Sequence, residues 1–283
     1  MLEDVLQYGE AVQDRTGVGT VATTLPTTVD FSLWWGIPVL TTKQTFWKGA
    51  IAELIWMARG STNVYELSEI LYGDRNKPNF WTPNYEKQAK DLGYTDGELG
   101  PVYGKQLTDF YGVNQIQYVI DTLKADLFSR RAMIDMWNPA DLPKMALPPC
   151  HYSTVFNVRD IGVELMLDMT VVMRSNDLFL GAPFNYVFYA TLCHCIAEAV
   201  GHGLVPGVYS HIAVNSHIYL NQIEQVNEQI TRTPGSLPEL VISKRARELL
   251  RTKGAAAFHE ITLEDFDLVG YDPQGKLTAK MAV

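Results

Sequence analysis

The chain has 283 residues, of which 47% are apolar, 19% charged and 11% aromatic. This composition is typical of a folded globular protein and excludes a disordered chain, a collagen-like repeat and a coiled coil. The 23 basic and 32 acidic residues give a net charge of −9, which disfavours nucleic-acid binding through a broad basic face. No run approaches the roughly 18 consecutive apolar residues of a membrane helix, and the acidic N-terminus is unlike a signal peptide. We therefore expect a cytoplasmic protein with no nucleic-acid or membrane partner.

In chain order, the first half predicts helices and one long strand. Residues 1–13 are predicted to form a helix, and the Thr-, Val- and aromatic-rich residues 20–35 a strand. Helical periodicity returns at 48–59 and again at 115–127. Between them, residues 61–104 are rich in Asn, Tyr and Gly, which predicts a small peripheral excursion of short helices and loops.

The second half predicts a sheet followed by a helix. Residues 131–137 and 152–158 are short strand-like runs, and residues 163–173 alternate apolar and polar side chains as a half-buried strand does. Pro183 can open a helix, because proline suits the first helical turn. Strands and helices are mixed without a regular βαβ rhythm, so we predict an α+β fold in a single domain spanning residues 1–283.

The strongest local motif is Pro148-Pro149-Cys150-His151. The two prolines restrict the backbone, so they present the thiol on a stiff segment between two predicted strands. A thiol becomes a nucleophile as its thiolate, which needs a nearby positive charge or a helix N-terminus. The motif alone also fits a buried structural cysteine beside a surface histidine. The chain has three cysteines, an odd and sparse number that argues against a disulfide framework.

A second group of polar residues follows the predicted strand 163–173. Arg174 and Ser175 could hold a phosphate through charge-assisted hydrogen bonds, and Arg174 could lower the pKa of a nearby thiol. The alternative for Arg174 is a surface ion pair with Asp177. Three further arginines are candidate phosphate ligands: Arg15, Arg130 and Arg131. Adjacent arginines are more often simply solvated, so the sequence leaves both interpretations open.

Two polar side chains on predicted helices suit a buried site. Small and apolar residues surround Glu53 at helical spacing, so burial would raise its pKa and make it a proton carrier near neutrality, unless it reaches solvent. Asn185 could read the donor and acceptor edge of a heterocycle, or cap its helix. The run Cys193-His194-Cys195 with His202 suggests a metal site. Consecutive helix positions point about 100° apart, which favours packing instead and predicts no metal.

Further segments join these residues in one collinear order from about residue 14 to the last residue. They are DRTG at 14–17, GIPVLTTK at 36–43, ELIW at 53–56, GPVYGKQ at 100–106, SRR at 129–131, WNP at 137–139, MALPPCH at 145–151, RSND at 174–177, GAPFN at 181–185, HIY at 217–219 and MAV at 281–283. In this order the chain resembles the thymidylate synthase family over nearly its whole length.

The resemblance implies a thymidylate synthase-like α+β fold, with a large mixed sheet, flanking helices and a homodimer packed sheet to sheet. It implies dUMP as substrate and 5,10-methylenetetrahydrofolate as co-substrate. Cys150 would add to C6 of the uracil ring and thereby make C5 nucleophilic. Glu53 would relay protons through water, and Tyr103 would support proton removal from C5. Three more residues complete the catalytic set that the resemblance implies: Arg174, Asp177 and Asn185.

The resemblance also implies the binding residues. Those expected to bind dUMP are Arg15, Arg174 and Ser175 at the phosphate, Arg130 and Arg131 from the partner subunit, His217 and Tyr219 at the ribose, and His151 and Asn185. The Asn185 amide would pair with N3–H and O4 of uracil, which favours dUMP over dCMP. Those expected to bind the folate are Trp81, Leu147, Asp177, Gly181, Phe184, Ala282 and Val283, with Val283 closing over the site.

Several positions, most of them on the expected folate side, depart from the usual family pattern. They are Phe46, Thr82, Asn84, Met173 and the pair Val214-Asn215. These changes bear on the last step, in which a methylene intermediate is either reduced to dTMP or hydrated. We expect reduction, because Trp81 and the Met-Ala-Val tail would exclude water. The alternative is a deoxyuridylate hydroxymethylase, which gives 5-hydroxymethyl-dUMP and tetrahydrofolate.

Overall fold

The computed structural model describes residues 1–282 and leaves Val283 outside the described residues. The α-helices are α1 Leu2–Tyr8, α2 Trp47–Ala58, α3 Val64–Tyr72, α4 Thr82–Asn84, α5 Tyr103–Thr108, α6 Gln115–Ala125, α7 Gly181–Val200, α8 Ile223–Ile230 and α9 Lys244–Lys253. The strands are β1 Glu10–Val12, β2 Thr20–Thr23, β3 Thr27–Ser32, β4 Met133–Asp135, β5 His151–Asp160, β6 Leu165–Met173, β7 Asn176–Asp177, β8 Leu204–Ala213, β9 Ser216–Tyr219, β10 Glu239–Ile242 and β11 Phe266–Val269. A π-helical turn, Tyr85–Ala89, continues α4, and 3-10 turns lie at Leu142–Lys144, Leu220–Gln222, Gly254–His259 and Leu263–Asp265.

The largest sheet has five strands in the order β3-β8-β6-β5-β4. The pair β6 and β8 is parallel and the other pairs are antiparallel, so the sheet is mixed. A second sheet has the order β1-β2-β9-β7, and β10 pairs with β11 in a separate antiparallel ribbon. The short strand β7 runs parallel to β9, which brings the two chain segments after β6 and β8 side by side.

Helix α7 lies at the centre of the core. Most of its side chains are buried, including Val187, Leu192 and Ile196, and it packs against α2, α9 and β8. A helix that is apolar on nearly all sides is stable only inside a fold. From residues 61–104, Leu67, Trp81 and several others join the same apolar cluster. No helix within residues 1–282 combines the length and apolar character needed to cross a membrane.

The predicted helix over residues 1–13 is wrong beyond Tyr8. Gly9 has extended backbone angles, and Glu10–Val12 forms the edge strand β1, in which Val12 pairs with Thr20 of β2. A Cβ at Gly9 would lie 2.4 Å from the carbonyl oxygen of Val5. The chain can turn from helix to strand this abruptly because the residue is glycine.

The predicted strand 20–35 is two strands, β2 and β3, which belong to different sheets. Pro26 lies between them and cannot donate to a sheet ladder. The strand predicted over residues 163–173 begins later than expected, because β6 starts at Leu165 and Val163 is 85% exposed outside it. Helix α7 begins at Gly181, two residues before Pro183. Oδ1 of Asp177 accepts hydrogen bonds from the N–H groups of Phe179 and Leu180 and thereby fixes the segment that leads into the helix.

The five-stranded sheet has two different faces. Met169, Val171 and Met173 of β6 are buried on the face that helps to form the core. The opposite face carries Val172 of β6, and the strand register places Ser153 of β5 and Ile212 of β8 beside it. Residues of this second face are largely half-buried, and its apolar members leave a surface suited to contact with another protein surface.

Candidate active site

A cleft of about 430 Å³ opens where α2, α5, α7, β5 and β7 converge. It collects side chains that are far apart in the sequence. Its lining is Glu53, Phe80, Trp81, Asn84, Tyr103, Leu147, Cys150, His151, Met173, Ser175, Asn176, Asp177, Leu180, Gly181, Phe184, Asn185 and Met281. Eleven of these seventeen residues are site residues expected from the sequence.

Cys150 is held rigidly at the residue before β5. Its backbone N–H donates to the Tyr103 hydroxyl at 2.7 Å, and its carbonyl accepts from the N–H of Arg174 at 2.9 Å. The Arg174 guanidinium donates to the carbonyls of Pro149 at 2.7 Å and Pro148 at 3.0 Å, and Nη2 lies 3.9 Å from the Cys150 sulfur. The guanidinium is therefore engaged beside the thiol, and the predicted alternative of a surface pair with Asp177 is wrong.

The groups that influence the pKa differ among the three thiols. Burial raises the pKa of Cys150, while the positive charges of Arg174 and Arg15 and a hydrogen bond with Tyr103 oppose that rise. Burial also raises the pKa of Cys193 and Cys195, and there the neighbouring acidic groups add to the rise. Cys150 is thus the thiol at which nearby positive charge opposes the effect of burial on the pKa. No group of three or more His, Cys, Asp or Glu within residues 1–282 could hold a metal ion.

Glu53 projects from α2 into the cleft. Burial raises its pKa to about 7, and the Trp81 indole N–H, which donates to Oε1 at 2.6 Å, partly offsets this rise. The interpretation of Glu53 as a solvent-facing helix residue is therefore wrong. With a pKa close to neutrality, the carboxyl group can both give up and accept a proton at physiological pH.

His151 lies behind the thiol and is only 6% exposed, so its interpretation as a surface histidine is wrong. Its ring stacks on Tyr103 with 4.3 Å between centroids, and Nδ1 lies 2.6 Å from the Tyr189 hydroxyl. Burial lowers the pKa of His151 to about 3, with the charge of His211 adding to the effect. The imidazole is consequently neutral and fixed in orientation.

The opposite wall carries Ser175, Asp177 and Asn185. Asp177 pairs across β7 and β9 with His217, whose ring lies 5.2 Å from that of Tyr219. Within residues 1–282 no side chain caps the N-terminus of α7, so the predicted alternative of Asn185 as a helix cap is wrong. The half-buried amide lines the cleft and is available to a ligand.

Other expected site residues lie outside the lining. Arg15 is exposed in the turn before β2, where its charge still acts on Cys150 and Tyr219. Arg130 and Arg131 are exposed just before β4. Half-buried Ala282 follows Met281 of the lining, while the Lys280 carbonyl accepts from the Asn221 amide at 3.0 Å. The expectation for Val283 lies outside the described residues.

Sequence reasoning assigned no role to several residues that shape the cleft. Phe80 packs edge-on against Phe184 with 5.3 Å between centroids. Lys43 is buried, and its ammonium group donates to the Phe179 carbonyl. Burial lowers the pKa of Lys43 to about 8, against the attraction of Asp177. Gln222 is fully buried beside Asp177. A lysine within the GIPVLTTK segment offered a clue for Lys43, whereas Phe80 and Gln222 had none.

A half-buried thiol beside an arginine, in a cleft that also holds a carboxyl group titrating near neutrality, is the arrangement expected of an enzyme that uses a cysteine nucleophile. Comparison with known proteins narrows this class. The family model described as thymidylate synthase matches residues 1–283. The chain belongs to the thymidylate synthase family, whose members are one-carbon methyltransferases.

Individual relatives agree with the family match. The thymidylate synthase of Enterobacteria phage T4 is 44% identical over 287 residues, which cover 100% of this chain and 98% of the relative. The human thymidylate synthase is 37% identical over 299 residues, which cover 100% of this chain and 88% of the relative. The crystal structure of the phage T4 enzyme superposes with a TM-score of 0.90 at 43% identity and covers 100% of this chain and 98% of that one. The predicted α+β thymidylate synthase-like fold is confirmed, and the hydroxymethylase alternative is not favoured.

Proposed function

We propose that this enzyme converts dUMP and 5,10-methylenetetrahydrofolate into dTMP and dihydrofolate. The observation that carries the proposal is the placement of Cys150. Its sulfur lies 3.9 Å from the Arg174 guanidinium, in a cleft that also contains the Glu53 carboxyl group with a pKa of about 7. A nucleophile and a proton carrier thus face the same space, as addition to an unsaturated ring requires.

The nucleotide would extend from the arginines to Asn185. Arg15, Arg174 and Ser175 would bind the phosphate, because guanidinium and hydroxyl groups form charge-assisted hydrogen bonds with phosphate oxygens. His217 and Tyr219 would bind the ribose 3′-hydroxyl. The Asn185 amide would donate to O4 and accept from N3–H of uracil, a pattern that cytosine reverses. His151, neutral and stacked on Tyr103, would lie beneath the ring.

The protein's own groups would then carry out the addition and the proton transfers. The Cys150 thiolate forms a bond to C6, and the electron pair of the C5–C6 double bond moves to C5 and O4. C5 takes up the one-carbon unit, which the folate co-substrate supplies together with a hydride. Tyr103 supports loss of the C5 proton, and Glu53 moves protons through water. The sulfur–C6 bond breaks when the product forms, so Cys150 is regenerated.

The remaining wall suits a flat heteroaromatic ring such as a pterin. Phe80, Trp81, Phe184 and Leu147 provide an aromatic and apolar surface, and the Asp177 carboxylate lies at its edge. Gly181 leaves space there, because a Cβ at that position would meet nothing closer than Asp177 Cβ at 3.5 Å. Rings prefer such apolar surroundings with a few polar groups that fix their orientation.

The second face of the five-stranded sheet would form the dimer. Val155 and Val172 contribute apolar surface there, and Met133 at its edge is 42% exposed. Arg130 and Arg131 lie just before this edge strand, and their side chains make no hydrogen bond or ion pair within residues 1–282. They are thus free to cross the interface to the phosphate of the partner subunit, which would let an acidic protein bind a dianion.

The test is a direct assay of the purified protein. With dUMP and methylenetetrahydrofolate, absorbance at 340 nm should rise as dihydrofolate forms, and mass spectrometry should show dTMP. In Cys150→Ser the rise should disappear while dUMP binding remains measurable by calorimetry. A nucleotide product that carries a hydroxymethyl group, or full activity in Cys150→Ser, would contradict the proposal.

A further inference from the structure

Asp177 lies where three parts of the candidate site meet. It ends β7, it precedes α7, and it pairs with His217 of β9. One carboxylate oxygen, Oδ1, accepts hydrogen bonds from the N–H groups of Phe179 at 3.0 Å and Leu180 at 3.1 Å. Because these bonds occupy Oδ1, the orientation of the carboxylate depends on what contacts the other oxygen.

Gln222 supplies that contact. Its side-chain Nε2 lies 3.4 Å from Oδ2 of Asp177, and its Oε1 accepts from the backbone N–H of Tyr219 at 3.3 Å. The side chain is 0% exposed, so water does not compete for either bond. The Gln222 amide thus links Asp177, on the proposed folate side of the cleft, to the backbone of Tyr219, on the proposed nucleotide side.

We propose that Gln222 is a positioning residue that couples the nucleotide and folate halves of the site. The inference rests on the proposed function, in which Tyr219 binds the ribose and Asp177 binds the pterin. When the ribose fixes Tyr219, the Gln222 amide holds Asp177 in the orientation that receives the folate. Binding of the nucleotide therefore strengthens binding of the folate, and Gln222 transmits this effect.

The bridge requires a hydrogen-bond donor and an acceptor on the same side chain, as the amide provides. Only a side chain with a donor at one end and an acceptor at the other satisfies a carboxylate and an N–H together. A methionine of similar size makes neither bond. A glutamate places a second carboxyl group against Asp177, so the two groups hold one proton between them when the pH is low and repel each other when both ionise.

Four other ionisable groups act on Asp177 or are acted on by it. Lys43 approaches from the segment before α2 and His217 from β9, while Tyr219 and Cys150 feel the charge of Asp177. Lys43 is the cationic neighbour in this group, whereas burial lowers the pKa of His217 and disfavours its charged form. The pair created by a glutamate at position 222 is therefore expected to lose its shared proton within the range in which the enzyme can be assayed.

The first test compares Gln222→Met with Gln225→Met, a matched control one helical turn further along. Calorimetry measures tetrahydrofolate binding with and without saturating dUMP, and steady-state assays give KM for methylenetetrahydrofolate. In Gln222→Met that KM should rise about tenfold, since a hydrogen bond to a charged group is lost. The enhancement of tetrahydrofolate binding by dUMP should fall by a similar factor. Gln225→Met should behave as the unaltered enzyme.

The second test, Gln222→Glu, separates positioning from a packing defect. At pH 6 its KM for methylenetetrahydrofolate should lie within about threefold of the unaltered enzyme, and at pH 8.5 it should be about tenfold higher or more. A packing defect would be independent of pH. Unchanged folate binding and coupling in Gln222→Met, or a pH-independent defect in Gln222→Glu, would overturn the inference. Failure of the unaltered enzyme to form dTMP would instead overturn the proposed function.

Discussion

At the scale of single residues, the thiol of Cys150 balances burial against positive charge. Burial raises its pKa, and the Arg174 guanidinium, 3.9 Å away, is the strongest opposing influence. In the complex with nucleotide, the phosphate would neutralise part of the positive charge of Arg174. The unliganded enzyme therefore offers the clearest measurement of what Arg174 does to the thiol.

Replacing Arg174 with Met should raise the pKa of Cys150 further. Loss of a cation within a few ångströms moves a pKa by about one to three pH units. The rate of alkylation by iodoacetamide, measured against pH without ligands, should reach its midpoint at a correspondingly higher pH. Arg174→Lys keeps a positive charge and should lie between the two. Because Cys193 and Cys195 are buried, a single alkylated cysteine is expected by mass spectrometry. Identical pH profiles for Arg174→Met and the unaltered enzyme would show that Arg174 does not lower the pKa of Cys150.

Glu53 shows that burying a carboxyl group can cost stability. Its pKa is about 7 in the folded protein against an ordinary value of 4.5. Below the ordinary value both folded and unfolded chains are protonated, so the group has no effect. As the pH rises towards 7 only the unfolded chain ionises, and stability falls until the folded group ionises as well.

Glu53→Gln should therefore be more stable than the unaltered enzyme at pH 8 and equally stable at pH 4. The expected gain at pH 8 is about 3 kcal/mol in the free energy of unfolding. Urea denaturation at one fixed protein concentration measures it, and kcat should fall in the same variant. A gain of the same size at both pH values would show that burial of the charge is not its cause.

At the scale of elements, the periodicity of apolar residues predicts helices and strands that have one regular apolar face. It misses strands that form only by pairing with another segment of the chain. Helix α2 and strand β6 lie within two residues of their predicted bounds, because each presents one regular apolar face. The helix predicted over residues 1–13 was wrong, since β1 exists only by pairing with β2. Similarly, Cys150 and Arg174 lie in motifs that the sequence alone singles out. Gln222 lies in no such motif, and only the folded structure shows its contact with Asp177.

Helix α5 shows how element packing reaches the thiol. A Cβ at Gly104 would lie 2.1 Å from the carbonyl oxygen of Ser61, so α5 can approach that backbone only with glycine there. The preceding residue, Tyr103, carries the hydroxyl that accepts from the Cys150 N–H. Displacement of α5 therefore shifts a contact of the Cys150 backbone.

Gly104→Ala should lower the free energy of unfolding by about 1–3 kcal/mol, the usual cost of overpacking, and should reduce kcat more than tenfold. Gly235→Ala is the control, because a Cβ there meets nothing closer than 3.7 Å. Denaturant unfolding and steady-state assays of both variants make the comparison. Full activity in Gly104→Ala would mean that Tyr103 does not need its present position.

At the scale of the whole molecule, charge is the main constraint. The chain carries a net charge of −9, yet the proposed substrate carries a phosphate. Long-range repulsion thus works against binding, and the phosphate depends on positive charges concentrated within a few ångströms. Arg15 and Arg174 provide two on one chain. In the proposed dimer, Arg130 and Arg131 of the partner bring the number to four.

Mixing two defective variants tests whether the site is shared. Cys150→Ser lacks the proposed nucleophile, and a double variant with Arg130→Ala and Arg131→Ala lacks the arginines proposed to cross the interface. A dimer with one chain of each kind has one intact site, formed by the Cys150 of one chain and the arginines of the other. If equal amounts are co-refolded, random pairing should restore about a quarter of full activity, since half of the dimers are mixed and each has one working site of two. Each variant refolded alone should remain far below that level. Activity that stays at the mean of the two separate variants would show that each site is built from a single chain.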